Sequence, residues 1–550
     1  MGRSFIRELR IRCRAVDALR PLANAPLALQ SVARGLEEDP FGFLIQVRRK
    51  LPPAAADLPV RAARFGRADL PREAFVSWFR DEPERARTIL SSSEVEWGTF
   101  TRLLAAHLEL TGKPWSIPAP IDLPPDSGDH RARISTLGEQ ISVFHLLTNS
   151  LPYTNSGYSL RSHNVLLAQQ KAGIRVAAAT RLGYPVIIGS LAACKSSHVD
   201  GITYHRLLPS LLKRSLEARI DQATRLLIPI VEAFGADVRS TTTDYTNALV
   251  AERVASTLGI PWTYEIRGLP EDSWVSRRPS DALKRAAEDS PRYAIERMRE
   301  TSSAMRSHHV FALGNALRTE FIARGVPSEG ITTVNNAAPA RIATGLSSSQ
   351  ARASLGLPQG GFWVGSVSSL VPYEGFDTLI RAVRIARERG FDVRLLLVGG
   401  GVAKPQLERL TQELGLMPGT EVVFTGKVSA DVARRYYRAL DLFAVPRRNL
   451  RVCRLVQPLK PLEACAAGLP MIVSDLPALR TFAEDAGAVT VAADDVGAWA
   501  DSLCSLANAP ERLQESTRKA LSFAEASTWE REGARYLHSY RQILSENFSA

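Results

Sequence analysis

A regular alternation of short apolar runs and helical patterns constrains the fold more than any other feature of this chain. It begins near residue 141, where the strand-like runs 141–147 and 175–180 flank a helix-like stretch at 158–171. Strands that alternate with helices of this length are typical of parallel β-α-β units. The sequence therefore predicts an α/β fold built on parallel sheets.

The alternation occurs twice along the chain. The first series continues through a predicted helix at 211–233 and predicted strands at 237–240 and 262–266. The second series has predicted strands at 309–313, 362–366, 393–398, 422–424, 442–445 and 471–473. We therefore expect two successive parallel-sheet domains that face a cleft, with ligands beyond the carboxyl ends of the strands.

The charge balance favours anionic partners. Lys and Arg number 69 against 57 Asp and Glu, a net charge of +12, which suits sugar nucleotides, acidic lipid surfaces or nucleic acid. No stretch resembles a nucleic-acid-binding motif, so we expect no nucleic-acid partner. The five cysteines are scattered without a C-x-x-C pair, which predicts neither a disulfide framework nor a zinc site and fits a reducing cytosol.

The first 135 residues predict a mainly helical extension. Phe5, Leu9, Cys13 and Val16 fall on one helical face, and arginines crowd the first twenty residues. Such a helix can lie on an anionic membrane, or it can pack on its own protein with solvated arginines. No apolar run is long enough to cross a bilayer and no secretory signal precedes the helix. We therefore expect a cytoplasmic protein, with peripheral contact at the inner face of the membrane as an open alternative.

The stretch 458–470 carries the clearest candidate ligand-binding residues. Pro461 can begin a helix, because its missing N–H costs nothing there. Lys460 and Glu463 then lie at the start of that helix, where positive charge favours a diphosphate and a carboxylate can accept hydrogen bonds from sugar or ribose hydroxyls. The alternative is that Glu463 only caps its own helix.

This stretch resembles the donor-binding helix of glycosyltransferase family 4, whose fold is called GT-B. Other stretches resemble the same family in the same order, namely 145–163, 180–185, 323–327 with 334–336, 373–377, 398–401 and 424–426. The segment 373–375 gives a Tyr-Glu-Gly version of its motif. The resemblance covers about residues 140 to 545 and leaves out the N-terminal extension.

The resemblance implies a domain plan and a reaction. After the predicted helical extension over 1–135, it implies an acceptor-side Rossmann-like domain over 136–305 with a return helix at 527–548, and a donor-binding Rossmann-like domain over 306–526. It also implies a retaining transfer from a nucleotide diphosphate sugar, with no metal and no other cofactor.

Three positions depart from the family pattern. The usual donor site has two glutamates eight positions apart; Glu463 matches the second, and Leu455 stands at the first. Ser366 and Glu374 stand where the family commonly has an Arg and a Lys on the diphosphate. These departures indicate either a subgroup or a loss of activity.

Five basic residues occur close together without an acid among them, and we expect some of them to replace that Arg and Lys: Arg447, Arg448, Arg451, Arg454 and Lys460. Arginine forks match phosphate oxygens well. The alternatives are a solvated basic loop and an acceptor-docking surface. Together with the family positions above, the predicted donor and phosphate contacts are Gly157, Ser366, Glu374, Arg451, Arg454, Lys460 and Leu462.

The predicted catalytic set combines Glu463 with Glu265 and Arg267. Arg267 stands where the family often has a His, and it alternates with Glu265, so both side chains lie on one side of a strand. A buried structural ion pair is the alternative for these two. On the acceptor side we expect Arg161, His163 and Arg181.

The leading hypothesis is a hexosyltransferase-like enzyme in cell-surface polysaccharide or glycolipid synthesis. Its acceptor is expected to be a glycan, a lipid-linked molecule or another glycoconjugate. A catalytically inactive GT-B scaffold, favoured by Ser366 and Glu374, and a sugar-nucleotide epimerase of the same fold remain as alternatives.

Overall fold

The computed structural model describes residues 24, 27, 30 and 140–548, apart from 214, 277, 279, 280, 340, 343 and 344. The predicted Arg-rich N-terminal helix lies outside these residues. The described chain divides into two compact units. Among the described residues, one unit contains 180–197 and 205–226. The other unit contains 140–179, 198–204 and 227–548.

The first sheet contains eight strands within the described residues. They are β1 (Ser142–Leu147), β2 (Arg175–Thr180), β3 (Ser196–Val199), β4 (Ile202–Arg206), β5 (Val238–Thr242), β6 (Trp262–Ile266), β7 (His309–Leu313) and β8 (Ile331–Val334). Their order is β3-β4-β2-β1-β5-β6-β7-β8, and the pairs from β1 through β5, β6 and β7 to β8 are parallel.

The helices of this part connect the strands. They are α1 (Gly157–Lys171), α2 (Leu216–Phe234), α3 (Tyr245–Leu258), α4 (Pro270–Ser276), α5 (Asp281–Glu288), α6 (Pro291–Arg306) and α7 (Asn315–Ala323). Local sequence sets the ends of α3: Asp244 accepts hydrogen bonds from the first backbone N–H groups, and Gly259 ends the helix in the left-handed region.

The second sheet contains six described strands. They are β9 (Phe362–Val367), β10 (Val393–Val398), β11 (Val422–Gly426), β12 (Leu442–Val445), β13 (Met471–Ser474) and β14 (Val489–Val491). All neighbours are parallel, in the order β11-β10-β9-β12-β13-β14. This is the doubly wound order of a dinucleotide-binding sheet, and its direction of winding reverses between β9 and β12.

Ten further helices are described in this half and at the C-terminal end. They are α8 (Ser348–Ser354), α9 (Phe376–Glu388), α10 (Lys404–Glu413), α11 (Ala430–Ala439), α12 (Arg451–Leu455), α13 (Lys460–Ala466), α14 (Pro477–Ala486), α15 (Val496–Ala507), α16 (Pro510–Ala526) and α17 (Trp529–Phe548). Single-turn 3₁₀ helices occur at Val186–Ile188, Ser328–Gly330 and Pro372–Glu374.

Apolar layers cover both faces of the second sheet. Along β10, Leu396 and Val398 belong to one buried cluster, and Leu395 and Leu397 belong to the cluster on the opposite face. A strand buried on both sides reads as a continuous apolar run rather than an alternating one. That explains why the sequence Val-Arg-Leu-Leu-Leu-Val forms a central strand.

The last helix packs on the first sheet. Tyr536 and Tyr540 of α17 are buried against Phe311 of β7, with ring centroids 4.5 Å and 5.5 Å apart. A Cβ on Gly533 would lie 2.3 Å from the carbonyl oxygen of Ala168 in α1, so the two helices touch through backbone at this point.

The structure confirms the predicted parallel α/β architecture and differs from the prediction in detail. The helix expected to begin at Leu211 begins at Leu216. Strands β3 and β4 were not predicted, although Asp200 and Gly201 between them both have positive φ and form the Asp-Gly turn that favours hairpins. None of the described helices is long and apolar enough to cross a membrane.

Candidate active site

The loop 456–459, between α12 and α13, crosses the carboxyl edge of the first sheet. A Cβ on Gly157, the first residue of α1 in the connection that follows β1, would lie 3.5 Å from Leu459, and one on Gly268, after β6, would lie 3.8 Å from Val456. Further along the edge, Asn336 after β8 donates a hydrogen bond to the carbonyl oxygen of Gln457 over 3.3 Å. The loop therefore meets the turns that follow three parallel strands, which is where ligands bind in sheets of this kind.

A buried carboxylate with two guanidinium groups lies at this edge. Glu265 of β6 accepts hydrogen bonds from Arg161 Nη2 and Nε at 2.8 Å and 3.1 Å through Oε1, and from Arg267 Nη2 at 2.8 Å through Oε2. All three side chains are at most 3% exposed. The predicted pair of Glu265 and Arg267 is therefore brought together, and Arg161 completes an ion-paired triad.

The triad carries a net positive charge inside the protein. Burial raises the pKa of Glu265, but Arg267 and Arg161 outweigh burial and hold it at about 2. Burial lowers the pKa of Arg267, and Glu265 more than reverses that effect, so this pKa is raised. Two guanidinium groups facing one carboxylate leave one positive charge in excess, because arginine keeps its proton in proteins.

Further contacts fix the two arginines in place. Arg267 donates to Ser162 Oγ at 2.5 Å, and its guanidinium lies 5.1 Å from the ring centroid of Tyr158. Arg161 donates to Asn336 Oδ1 at 2.8 Å and to the carbonyl oxygen of Asn335 at 2.9 Å. The triad therefore links α1, β6 and the segment after β8.

At the carboxyl edge of the second sheet, Glu463 forms a half-exposed polar group with two neighbours. Lys460 Nζ lies 3.1 Å and 3.2 Å from the two carboxylate oxygens, and the Tyr437 hydroxyl of α11 donates to Oε2 at 2.6 Å. The side chains of Lys460 and Glu463 are 37% and 28% exposed. Both charges are consequently open to solvent and to a ligand.

Glu374 is neutralised by an arginine from the predicted basic cluster. Arg447 Nη2 donates to Glu374 Oε1 at 3.1 Å, and Nη1 donates to the carbonyl oxygen of Val456 at 2.8 Å. Gly375 allows this approach: it has φ +71°, and a Cβ there would lie 1.9 Å from the carbonyl oxygen of Pro446. The Tyr-Glu-Gly turn thus packs directly on the segment after β12.

The other arginines of the cluster differ in their partners. Arg448 bonds to Asp377 and lies 3.5 Å from Asp494. Arg451 donates to Asp272 at 3.1 Å and bonds to Glu320, so it joins α12 to α4 and α7. Arg454 is exposed and donates to Asn449 Oδ1 at 2.6 Å; among the described residues it has no ion pair. Within the cluster, Arg454 is therefore the exposed member without a carboxylate partner among the described residues, whereas Lys460 is paired with Glu463.

The remaining predicted site residues lie apart from these groups or inside the core. Ser366 is buried at the carboxyl end of β9, and Leu462 is buried in the apolar core beside the second sheet. His163 contacts the Tyr204 hydroxyl at 2.7 Å and Asp200 at 2.9 Å rather than the triad. Arg181 follows β2 directly.

Two residues at the site were not predicted. Tyr437 reaches Glu463 from α11, and Asn336 reaches Arg161 from the segment after β8. Neither is close in sequence to its partner, so no local spacing indicates these contacts.

Both halves of the chain match known glycosyltransferase domains. Residues 156–337 match the glycosyl transferase 4-like domain, and residues 361–509 match the family described as glycosyl transferases group 1. Together these matches cover the second sheet, the first sheet apart from β1, and the site residues from Gly157 to Glu463. Residues 156–337 and 361–509 are therefore similar to glycosyltransferase domains.

Named relatives match only part of the chain. It is 34% identical to a D-inositol 3-phosphate glycosyltransferase of Rhodococcus erythropolis over 35% of this chain and 44% of that protein. It is 36% identical to a GDP-mannose-dependent alpha-(1-6)-phosphatidylinositol monomannoside mannosyltransferase of Mycobacterium tuberculosis over 20% and 28%. The matched region thus spans less than half the length of these relatives.

Solved structures support the fold. A sucrose-phosphate synthase from Thermosynechococcus elongatus superposes with a TM-score of 0.58 at 18% identity, covering 74% of this chain and 100% of the other. HepE of Anabaena, in complex with UDP and glucose, superposes with a TM-score of 0.54 at 17% identity, covering 73% and 100%. At these identities the likeness establishes the GT-B fold and nothing about substrates.

Proposed function

We propose that the chain is a hexosyltransferase-like enzyme that transfers a sugar from a nucleotide diphosphate sugar to a glycan, lipid-linked or other glycoconjugate acceptor. The observation that carries the proposal is the accessible Glu463–Lys460 pair. The loop leading into this pair also contacts the turns at Gly157 and Gly268. A carboxylate and an ammonium group offer matching partners to sugar hydroxyls and to a diphosphate, respectively.

The residues divide into two roles in this proposal. Glu463 accepts hydrogen bonds from hydroxyl groups of the donor, while Lys460 and Arg454 provide positive charge for the diphosphate as it departs. The triad of Glu265, Arg161 and Arg267 carries one positive charge in excess. This charge stabilises negative charge on the side of the loop 456–459 that is opposite Glu463. Arg267 cannot act as a base, because its guanidinium keeps its proton.

The finer features of the reaction rest on the family resemblance. We propose retention of anomeric configuration, no requirement for a metal, and membership of a subgroup in which a Tyr-Glu-Gly turn replaces the usual lysine. In this subgroup Glu374 is balanced by Arg447, so the turn keeps its structure without a free negative charge. We place the enzyme in the cytoplasm, in the synthesis of cell-surface polysaccharide or glycolipid, with peripheral membrane contact through the N-terminal extension.

One observation favours a second candidate, a binding protein without turnover. Arg447, Arg448 and Arg451 each pair with a carboxylate, as Lys460 does with Glu463, so a phosphate can bind these groups only if their ion pairs open. In that case the chain binds a nucleotide sugar and releases it unchanged.

The test is a turnover assay with purified full-length protein, nucleotide sugars and EDTA. We expect release of nucleoside diphosphate by the wild type and a loss of at least about 100-fold in Glu463→Ala, because each hydrogen bond from a donor hydroxyl to this carboxylate contributes roughly 1.5–3 kcal/mol. Glu388→Ala, an exposed helix substitution, is the matched control. Equal turnover by Glu463→Ala would contradict the site, and donor binding without turnover would support the second candidate.

A further inference from the structure

A cavity of about 420 Å³ opens on the other side of the loop that leads to Glu463. Its walls include Gly314 and Asn315 after β7, Asn336 after β8, Gln457 of the loop and Thr481 of α14. The volume is within the range of roughly 300–1,000 Å³ that small-molecule sites occupy. The cavity therefore has room for one or two sugar rings.

The loop separates this cavity from the turns at Gly157 and Gly268. Leu455 and Gln457 line the cavity, whereas Val456 lies against Gly268. The cavity also remains connected to the buried triad, because Asn336, one of its lining residues, accepts the hydrogen bond from Arg161. It is thus a neighbouring compartment and not part of the Glu463 group.

The polar lining has unfilled hydrogen-bonding capacity. Gln457 Oε1 is buried and has no hydrogen-bond partner within the described chain. Gly314 has φ +82°, and a Cβ there would lie 3.9 Å from this oxygen. The Gln457 amide therefore lies beside backbone that carries no side chain. A buried acceptor without a partner costs free energy, which a ligand hydroxyl recovers when the Gln457 amide turns toward the cavity.

Further donors and an apolar wall complete the lining. Asn315 accepts from Thr333 through Oδ1, and its amide nitrogen donates to none of the described residues. The side chain of Arg531 is exposed at the cavity and forms neither a hydrogen bond nor an ion pair with any described side chain. Phe482 and Phe523 supply an apolar surface, with ring centroids 5.3 Å apart.

We propose that this cavity binds a small polyhydroxylated molecule, such as a monosaccharide or a cyclic polyol. Amide groups and a guanidinium pair with adjacent hydroxyls, and the aromatic wall covers the carbon face of the ring. The assignment of this molecule as the acceptor rests on the proposed transferase function. The binding site itself does not depend on it.

The test uses saturation-transfer NMR of the full-length protein with D-glucose and with myo-inositol as probes. Thr481→Trp fills the cavity from an exposed helix position, and Glu484→Trp places the same ring on α14 outside the cavity as a control. We expect affinity for at least one probe in the wild type and in the control, and a loss of about tenfold or more in Thr481→Trp. Gln457→Leu, checked for folding by its melting temperature, is expected to weaken the same probe.

The outcomes separate the two proposals. Absence of saturation transfer to both probes, or equal binding by Thr481→Trp, overturns the cavity site. Mass spectrometry of the probe after incubation with nucleotide sugars then identifies its role: a gain of one sugar unit makes it an acceptor. Binding of an unmodified probe, together with no turnover of any donor, supports the cavity as an effector site and contradicts the transferase function.

Discussion

The carboxylates of Glu265 and Glu463 differ in how their surroundings use them, although both lie at the carboxyl edge of a parallel sheet. Glu265 is 2% exposed, and both its oxygens are occupied by guanidinium groups. Glu463 is 28% exposed and shares its charge with one lysine and one tyrosine hydroxyl. The comparison indicates that the Glu265 carboxylate at the first sheet is held in a preformed ion-pair network. The Glu463 carboxylate at the second sheet is available to a ligand.

The largest expected effect is on stability, from breaking the buried triad. Glu265→Gln leaves two guanidinium groups buried with a neutral partner, which is expected to cost about 3–5 kcal/mol of unfolding free energy. Chemical denaturation measures the change. Glu463→Gln is the matched control and should cost at most about 1 kcal/mol, because its ion pair is partly solvated. Equal effects from both variants would contradict the comparison.

A second buried carboxylate beside the first sheet predicts a pH dependence. Burial raises the pKa of Glu300 to about 8, although the Tyr264 hydroxyl and the backbone N–H of Tyr245 bond to it. The folded state therefore binds a proton that the unfolded state has released between pH 4.5 and about 8, so unfolding free energy from this group falls as pH rises through that window.

Glu300→Gln should remove this slope, as measured by denaturation at several pH values. Between pH 4.5 and about pH 8, we expect the unfolding free energy of the variant to rise by a few kcal/mol relative to that of the wild type. Glu388→Gln, an exposed substitution, should leave the slope unchanged. A slope retained in Glu300→Gln would show that another group carries it.

The smallest expected effect is from the ion pairs that join the two halves at Arg451. Arg451→Ala removes contacts with Asp272 and Glu320, but the arginine is 38% exposed, Glu320 keeps Arg297 and Arg324 as partners, and the buried Asp272 keeps the hydrogen bond from the Tyr293 hydroxyl. We expect a loss of about 1 kcal/mol or less in unfolding free energy. Arg454→Ala, without an ion pair among the described residues, should have almost none, and a larger loss there would reverse their assigned roles.

The fold is predictable from the sequence because the signals that indicate it are local. Apolar runs and helical periods are properties of neighbouring residues, and the alternation of Glu265 with Arg267 placed both on one side of β6. The charge partners of the basic cluster were not predictable in the same way. Arg447 meets Glu374 only because Gly375 packs on the segment after β12, and Arg451 meets acids from α4 and α7. Those contacts depend on tertiary packing, which spacing does not encode.

The central claim is that the half-exposed edge around Glu463 binds the donor nucleotide. Calorimetric titration of the full-length protein with UDP, GDP, ADP and their sugars, without added metal, tests it most directly. We predict saturable binding of the nucleotides that carry one of these nucleobases. Their affinity should be at least about 100-fold lower in Glu463→Ala, measurably lower in Arg454→Ala and unchanged in Glu388→Ala. Absence of binding across the panel, or wild-type affinity in Glu463→Ala, would contradict the claim.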